Sequence, residues 1–257
     1  MRITDSQYGK HWNLWKCTYC SVVFANPLPD ESLLVQTYAQ MNDSAYAEEE
    51  TGRKKNFTRL FTSIEQVTTS GGRLLDIGAA SGLLVELARL RGWQAEGLEI
   101  SSSLVEEAKQ KHIQLHQASI EDFTADMPFR VITAIDIIEH LHKPEILLKK
   151  AWGWLQQDGV LCLVTPDIGS ITARLSRGKW WHFRPAHLYY FNKKSISHLL
   201  SKNGFEVIMI KHYVWHFSLS YLLSRFKWHP KLSLFKSIII PLNLFDSMEI
   251  YARKSKA

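Results

Sequence analysis

Short apolar runs alternate with amphipathic, helix-length segments through the middle of the chain. Runs with the character of buried strands occupy residues 73–78, 94–100, 113–118, 129–135 and 160–165. Helical periodicity marks the stretch that ends at residue 91 and the stretches 102–111 and 144–155. Because strands joined by helical crossovers pair in parallel and are covered on both faces, this pattern predicts a doubly wound α/β domain.

The two ends of the chain differ from this middle part. Residues 1–45 hold a cysteine pair and several tyrosines, and we predict a short N-terminal extension there, followed by one domain over 46–257 that begins with a helix ending near residue 67. Residues 168–191 lack periodicity and are rich in aromatic side chains, and a long loop of this kind in a compact domain is more often functional than not. The remaining predicted elements are a helix at 195–203, a strand at 206–213, a helical insertion at 215–242 and a last strand at 247–252.

Composition excludes several classes of protein. With 46% hydrophobic and 22% charged residues in 257, the chain has the make-up of a globular protein and not of a disordered or fibrous one. No apolar run reaches the roughly 20 residues of a membrane-spanning helix, and the first residues lack the apolar stretch of a signal peptide, so we predict a cytoplasmic protein. Three cysteines are too few for a disulfide framework.

The charge is distributed unevenly along the chain. Residues 1–167 carry 16 Lys and Arg against 22 Asp and Glu, a net −6, whereas residues 168–257 carry 15 against 3, a net +12. A basic third of this kind suits a phosphorylated small molecule, a nucleic acid or an anionic membrane surface, because all three attract clustered cations. A solvated basic face without a partner is the remaining interpretation.

A glycine-rich turn follows the first predicted strand. Residues 74–82 read Leu-Leu-Asp-Ile-Gly-Ala-Ala-Ser-Gly, at the junction of that strand with the next helix. Glycines there let the backbone approach a ligand closely, and a helix N-terminus offers free N–H groups to a negative group. Glu99 ends the second strand, 17 residues beyond Gly82, where it can accept hydrogen bonds from ribose hydroxyls.

This turn and two further segments resemble the class I S-adenosylmethionine-dependent methyltransferases. The further segments are 97–101, Gly-Leu-Glu-Ile-Ser, and 136–141, Asp-Ile-Ile-Glu-His-Leu. The resemblance covers residues 46–257 and implies a Rossmann-like, mostly parallel seven-stranded sheet with S-adenosylmethionine as cofactor. A nicotinamide-dependent dehydrogenase is disfavoured because Asp76 precedes the glycines and Ala80 stands where a dinucleotide pyrophosphate usually requires glycine.

The resemblance also implies which residues bind the cofactor. Glu99 is expected on the ribose, and Ile120 is expected to pack on the adenine. Ser119 stands where the family often has an acidic residue, and its hydroxyl is expected to bond the adenine amino group. The full set of predicted cofactor residues is Asp76, Gly78, Ala79, Ala80, Gly82, Glu99, Ile100, Ser119, Ile120 and Asp136.

Methyl transfer requires positioning of the acceptor and, for a hydroxyl acceptor, a base. His187 and His182 lie in the aromatic loop, and His187 belongs to a run, 185–191, that resembles a recurrent element of small-molecule methyltransferases. We therefore predict His187 as the catalytic base, against a purely structural role for the same side chain.

Two metal sites are alternatives that we do not adopt. Quinone-pathway O-methyltransferases are similar at 136–141 and can bind a divalent cation there, which would involve Asp136, Glu139 and His140. Residues 16–27 resemble half of a zinc ribbon found before some sugar methyltransferases, but Cys17 and Cys20 form only one pair, even if His11 adds a third ligand. We predict no bound metal and a metal-free remnant of the ribbon.

The predicted function is methylation of a small molecule, on oxygen, with a glycan precursor or related polar metabolite as the acceptor. The acceptor is expected to be phosphorylated or nucleotide-linked, since the basic third would bind such groups. A nucleic-acid methyltransferase and a non-catalytic cofactor-binding protein remain as alternatives; no RNA-binding module is recognisable. A peripheral membrane contact through 215–242 and a homodimer are further hypotheses.

Overall fold

Seven strands form one sheet at the centre of the described part of the chain, which in this computed structural model comprises residues 9–30, 49–224 and 237–255. The strands in chain order are β1 (Leu14–Lys16), β2 (Val23–Ala25), β3 (Gly72–Ile77), β4 (Trp93–Glu99), β5 (Leu115–Gln117), β6 (Phe129–Ile135), β7 (Leu155–Pro166), β8 (Tyr189–Tyr190), β9 (Phe205–His212), β10 (Trp215–Ser218), β11 (Ile239–Leu242) and β12 (Ser247–Lys254). The helices are α1 (Glu50–Val67), α2 (Leu83–Leu90), α3 (Ser102–Gln110), α4 (Pro144–Trp154), α5 (Ile171–Ser176), α6 (Lys193–Lys202) and α7 (Leu219–Ser224), with 3-10 turns at Ile138–His140 and Arg177–Lys179.

The order of strands in the large sheet is β5-β4-β3-β6-β7-β12-β9. Neighbours from β5 to β7 are parallel, whereas β12 runs antiparallel to both β7 and β9. The order reverses between β3 and β6, and in open α/β sheets ligands bind at such a reversal, outside the carboxyl ends of the strands. The predicted doubly wound, mostly parallel seven-stranded sheet is confirmed.

Alternate residues of the central strands supply the two apolar cores of the molecule. Leu75 and Ile77 of β3 belong to one buried cluster, and Leu74 belongs to the other. The side chains of a strand point alternately to opposite faces, so a continuous apolar run is needed where helices cover both faces. Among the described residues no helix is both long and apolar enough to cross a membrane.

One predicted boundary is wrong because of a strand irregularity. The dipeptide Asp158-Gly159 lies between the helix predicted over 144–155 and the strand predicted at 160–165, but α4 ends at Trp154 and β7 begins at Leu155. Phe129 pairs with Leu155 and Val131 pairs with Val160, so between these two pairs β7 advances by five residues while β6 advances by two. The turn-forming dipeptide therefore lies in a bulge of the strand.

The segment predicted as a loop contains regular structure, and the segment predicted as a helical insertion contains strands. The aromatic loop 168–191 contains α5 and β8, and it forms a small third core in which Trp180 and Tyr190 are fully buried. The insertion 215–242 is not helical throughout, because β10 and β11 pair as antiparallel strands at its two ends. Buried residues alternate with half-buried ones along β10, which is the period of a strand, and residues 225–236 lie outside the described part.

The N-terminal extension forms its own small sheet with the aromatic loop. Strand β2 pairs with β1 on one side and with β8 on the other, all antiparallel. Cys17 and Cys20 lie at the turn between β1 and β2, and the ring of His11 packs instead on Phe183 at 4.9 Å between centroids. No third ligand approaches the cysteine pair among the described residues, and the predicted domain boundary at residue 45 falls outside them.

Candidate active site

A cavity of about 1330 Å³ opens at the carboxyl ends of the parallel strands. It reaches from the glycine-rich turn after β3 to the aromatic loop and the β10–β11 hairpin. Drug-sized ligands occupy pockets of about 300–1,000 Å³. The cavity therefore has room for a cofactor and a second small molecule together.

The glycine-rich turn takes a backbone conformation that its residue types explain. Gly78 has φ +73°, and a side chain there would clash with Ile137 of the neighbouring loop. Gly82 has φ +81° at the residue before α2, and a Cβ there would lie 2.7 Å from Ile113. Ala80 also has a positive φ, of 49°, which is uncommon outside glycine and marks local strain at a functional turn.

Glu99 ties this turn to the end of β4. Its Oε2 accepts the N–H of Ala80 at 2.9 Å, and its Oε1 accepts the N–H groups of Ile100 and Ser101, each at 2.9 Å. Only 8% of the residue is exposed, and it lines the cavity. Three backbone donors thus fix the carboxylate and leave it able to accept hydroxyl donors from a ligand.

Two buried aspartates line the same end of the cavity. Burial raises the pKa of Asp76 to about 7, against the opposing effect of a hydrogen bond from the Thr133 hydroxyl at 2.6 Å. Burial likewise raises the pKa of Asp136 to about 7, while Arg184 and Arg53 oppose that change. Asp136 has φ +52°, so a strained backbone presents its carboxyl at the end of β6. Both groups therefore change charge near neutral pH.

The turn after β5 borders the cavity on its other side. The hydroxyl of Ser119 donates to the Asp122 carboxylate at 2.7 Å and accepts the N–H of Asp122 at 3.1 Å. The Ser119 oxygen already accepts one N–H, whereas the Asp122 carboxylate keeps several acceptor lone pairs and lines the cavity, so it is the better acceptor for a ligand amino group. Ile120 is half-buried beside it and lines the cavity.

Glu139, His140 and His187 form a buried polar cluster at the far wall. Their ligand atoms lie within 4.8 Å of one another, and the two imidazole rings meet edge to face at 4.6 Å. His140 Nδ1 donates to the carbonyl oxygen of Ala186 at 2.9 Å, and Thr165 donates to Glu139 Oε2 at 3.0 Å. Glu139 Oε1 and His187 Nδ1 have no hydrogen-bond partner among the described residues.

Burial keeps this cluster uncharged. It raises the pKa of Glu139 well above its usual range, with Asp136 adding to the effect. It lowers the pKa of His140 to about 4 and that of His187 well below its ordinary value. His187 is therefore neutral at pH 7 and has a lone pair to accept a proton, and the cluster also offers one carboxylate and two imidazoles to a cation.

Aromatic side chains form the outer wall of the cavity. Trp215 stacks on Phe217 at 6.1 Å and Phe217 stacks on Tyr221 at 5.4 Å, and all three line the cavity. Tyr213 is buried at the end of β9, and its hydroxyl has no hydrogen-bond partner among the described residues. The wall thus presents flat, largely apolar ring faces together with the phenol groups of Tyr213 and Tyr221.

A family model described as a methyltransferase domain matches residues 46–210 of the chain. The chain belongs to the class I S-adenosylmethionine-dependent methyltransferases. The predicted membership is confirmed, and the dehydrogenase interpretation is dropped.

Relatives of the chain agree with this family membership. The chain is 31% identical over 117 residues to a ubiquinone biosynthesis O-methyltransferase of Coxiella burnetii, which is 43% of this chain and 50% of the relative. An enzyme of the same description from Xanthomonas campestris is 28% identical over 118 residues, 43% of this chain and 49% of the relative. The chain thus spans about half the length of the curated relatives that it matches.

Solved structures show the same fold. Magnesium protoporphyrin IX methyltransferase from Synechocystis, with bound SAH, superimposes with a TM-score of 0.61 at 12% identity, over 88% of this chain and 100% of that one. An S-adenosylmethionine-dependent methyltransferase from Clostridium acetobutylicum gives a TM-score of 0.53 at 11% identity, over 83% of this chain and 94% of that one.

Nearly all of the predicted site residues line this cavity. Gly82 does not, because it sits behind the turn, where its N–H donates to the Ala79 carbonyl at 2.9 Å. The alternative cluster of Asp136, Glu139 and His140 differs from the one observed, in which His187 and not Asp136 lies with Glu139 and His140. The predicted residues that line the cavity are Asp76, Gly78, Ala79, Ala80, Glu99, Ile100, Ser119, Ile120, Asp136 and His187.

Other residues that reach the cavity were not predicted from the sequence. Arg53 comes from α1, and Trp215 and Tyr213 lie far along the chain from any motif. Asp122 lies in the turn after β5, and no motif in the sequence assigned it a role. The aromatic content of residues 213–221 is the sequence feature that could have indicated this wall.

Proposed function

We propose that the protein transfers the methyl group of S-adenosylmethionine to an oxygen of a small polar acceptor. One observation carries the proposal: the same cavity joins a Glu99-anchored glycine turn at one end to an aromatic wall with a neutral histidine at the other. The first end suits a nucleoside with an amino acid attached, and the second suits an acceptor beside a base.

In the cofactor half, the chain supplies acceptors for hydroxyl and amino groups. Glu99 is placed for the two ribose hydroxyls, and Asp76 lies beside the turn, where a cationic amino group is expected. Asp122 takes the role expected of Ser119 toward an adenine amino group, with Ile120 packed on the ring. When bound, the cofactor supplies an activated methyl group on a sulfonium, so that the protein's main task is alignment.

In the acceptor half, the residues favour a planar or ring-shaped molecule with a negative group. Aromatic rings present flat apolar faces to sugars and catechols, and Arg53 and Arg184 bring positive charge to the cavity wall. These features support a glycan precursor or related metabolite that is phosphorylated or nucleotide-linked. An acceptor screen that begins with nucleotide sugars and catechols tests this class, and methylation of RNA alone would contradict it.

His187 is the proposed base for the acceptor hydroxyl. Its ring lines the cavity, only 5% of the residue is exposed, and its Nδ1 has no hydrogen-bond partner among the described residues. Because its pKa is held well below the ordinary value, the ring is neutral at pH 7 and accepts the hydroxyl proton as the oxygen attacks.

A metal-assisted variant of the same reaction is the second candidate, favoured by the clustering of Glu139, His140 and His187. A divalent cation held there would acidify the acceptor hydroxyl. We expect turnover to survive exhaustive dialysis against EDTA, because the proposed base is a neutral imidazole that accepts the proton without a cation. Loss of turnover on dialysis, restored by added Mg²⁺ or Zn²⁺, would replace the base mechanism with the metal-assisted one.

Cofactor affinity is expected to depend on pH through Asp76. Its pKa is raised to about 7, so it is mostly protonated at pH 6 and mostly ionised at pH 8. Since the ionised form attracts the cationic amino group of the cofactor, Kd falls as pH rises, by at most about ten-fold over this interval for a single group.

Calorimetry at pH 6, 7 and 8 measures this dependence. Asp76→Asn should bind more weakly at pH 8 and lose most of the pH dependence, while Asp126→Asn, an exposed control, should keep it. An equal slope in wild type and Asp76→Asn would contradict the assignment.

A further inference from the structure

Four large apolar side chains are exposed together beside the rim of the cavity. Ile171 and Leu175 of α5 are 72% and 80% exposed, and Leu244 and Phe245 before β12 are 42% and 53% exposed. The two segments are joined, because the Thr172 hydroxyl donates to the Leu244 carbonyl oxygen. We call these four residues the rim patch.

The backbone holds one member of the rim patch outward at an energetic cost. Phe245 has φ +55°, a conformation that is rare for an aromatic residue. Its N–H donates to Asn243 Oδ1 at 3.2 Å, and its ring meets that of His212 edge to face, at 5.1 Å between centroids. A strained turn that presents a phenyl ring to solvent is unexpected unless another surface covers the ring.

Cations surround the rim patch. Arg174, Arg177 and Lys179 are exposed on α5 and the turn after it, and no carboxylate lies within ion-pair distance of them among the described residues. Residues 168–244 contain 12 Lys and Arg and a single acidic residue, Glu206. Apolar side chains beside exposed cations that have no ion-pair partner among the described residues complement a surface that is anionic outside and apolar beneath.

We propose that the rim patch docks on an anionic lipid bilayer. The apolar side chains insert at the level of the headgroups while Arg174, Arg177 and Lys179 contact lipid phosphates. These residues differ from the insertion 215–242 that the sequence suggested for such contact. Because Leu244 also lines the cavity, docking places the cavity rim at the membrane surface.

Vesicle flotation of the full chain tests this proposal. We expect binding to phosphatidylcholine vesicles that contain phosphatidylglycerol to be at least about ten-fold stronger than binding to phosphatidylcholine alone, and to weaken with salt. Arg174→Glu with Arg177→Glu should reduce binding about ten-fold or more, and Ile171→Gln with Leu175→Gln should abolish the part that persists in high salt. Leu90→Gln with Lys109→Glu, exposed residues of α2 and α3, is the matched control and should bind as wild type.

Circular dichroism and S-adenosylmethionine affinity should be the same in all of these variants, since the substituted side chains are exposed. Failure of wild type to float with anionic vesicles, or equal flotation of rim and control variants, would overturn the proposal. It would also be overturned by concentration-dependent self-association, or by RNA binding, that the rim variants abolish while no variant or wild type binds vesicles.

Discussion

Glu99→Ala is expected to raise the Kd for S-adenosylmethionine by at least about 100-fold. The variant removes an acceptor for ribose hydroxyls, and hydrogen bonds to a charged group contribute about 1.5–3 kcal/mol each. It also releases the N–H groups of Ala80, Ile100 and Ser101, so the strained turn loses the carboxylate that holds it. Calorimetric titration measures the loss.

Glu96→Ala is the matched control for this experiment. Glu96 lies on the same strand and is equally buried, but it pairs with Arg73 and with His116 away from the cavity. We expect Glu96→Ala to lower thermal stability and to leave cofactor affinity close to that of wild type. Unchanged affinity in Glu99→Ala, or an equal loss in both variants, would show that Glu99 does not hold the ribose.

His187→Ala is expected to abolish turnover while leaving cofactor affinity within about two-fold of wild type. A general base contributes about 10²–10⁴-fold to a proton-transfer step, so a loss of about 1,000-fold in kcat is expected. Cofactor binding should persist because the ring contacts of His187 among the described residues are His140, His182 and Tyr190, and none of these belongs to the glycine-rich turn. Methyl transfer from radiolabelled cofactor to an identified acceptor measures kcat.

Two controls separate a base from a structural residue. His182→Ala changes the other histidine of the same loop, whose ring lies 3.3 Å from the Asp246 carboxylate, and should cost far less activity. Added imidazole should restore part of the turnover of His187→Ala, because a small base can occupy the space left by the ring. Wild-type turnover in His187→Ala would contradict the assignment of His187 as the base. A loss of turnover that coincides with unfolding would contradict it too.

The sheet was predictable because its strands are buried on both faces. A run such as 160–165 must be apolar throughout, and this signal does not depend on distant partners. The boundary at Leu155 was not predictable, since Asp158 and Gly159 form a turn in most contexts and only the pairing of β6 with β7 turns them into a bulge.

The cofactor end of the site was also predictable, because its residues lie within short sequence motifs. Gly78 and Glu99 are recognisable from residue type and spacing, and the structure brings both to the cavity. The acceptor end depends on tertiary packing instead. His187 meets Glu139 and His140 only because the aromatic loop folds across the end of β6, and no spacing between these residues encodes the contact.

The helical insertion shows where composition misleads. Residues 215–242 mix aromatic, aliphatic and basic side chains, as an amphipathic helix does. Asn56 of α1 accepts the backbone N–H of His216 at 2.7 Å, and β11 provides a pairing partner, so Trp215–Ser218 forms a strand. Long-range hydrogen bonds of this kind override local propensity.

The central claim is that the cavity binds S-adenosylmethionine through the Glu99-anchored turn. Titration of the purified protein with S-adenosylmethionine, S-adenosylhomocysteine and NAD by calorimetry, beside Glu99→Ala, tests it most directly. We expect micromolar binding of the first two ligands, weakened at least about 100-fold in the variant, and no binding of NAD. Binding of NAD alone, or of none of the three, would contradict it.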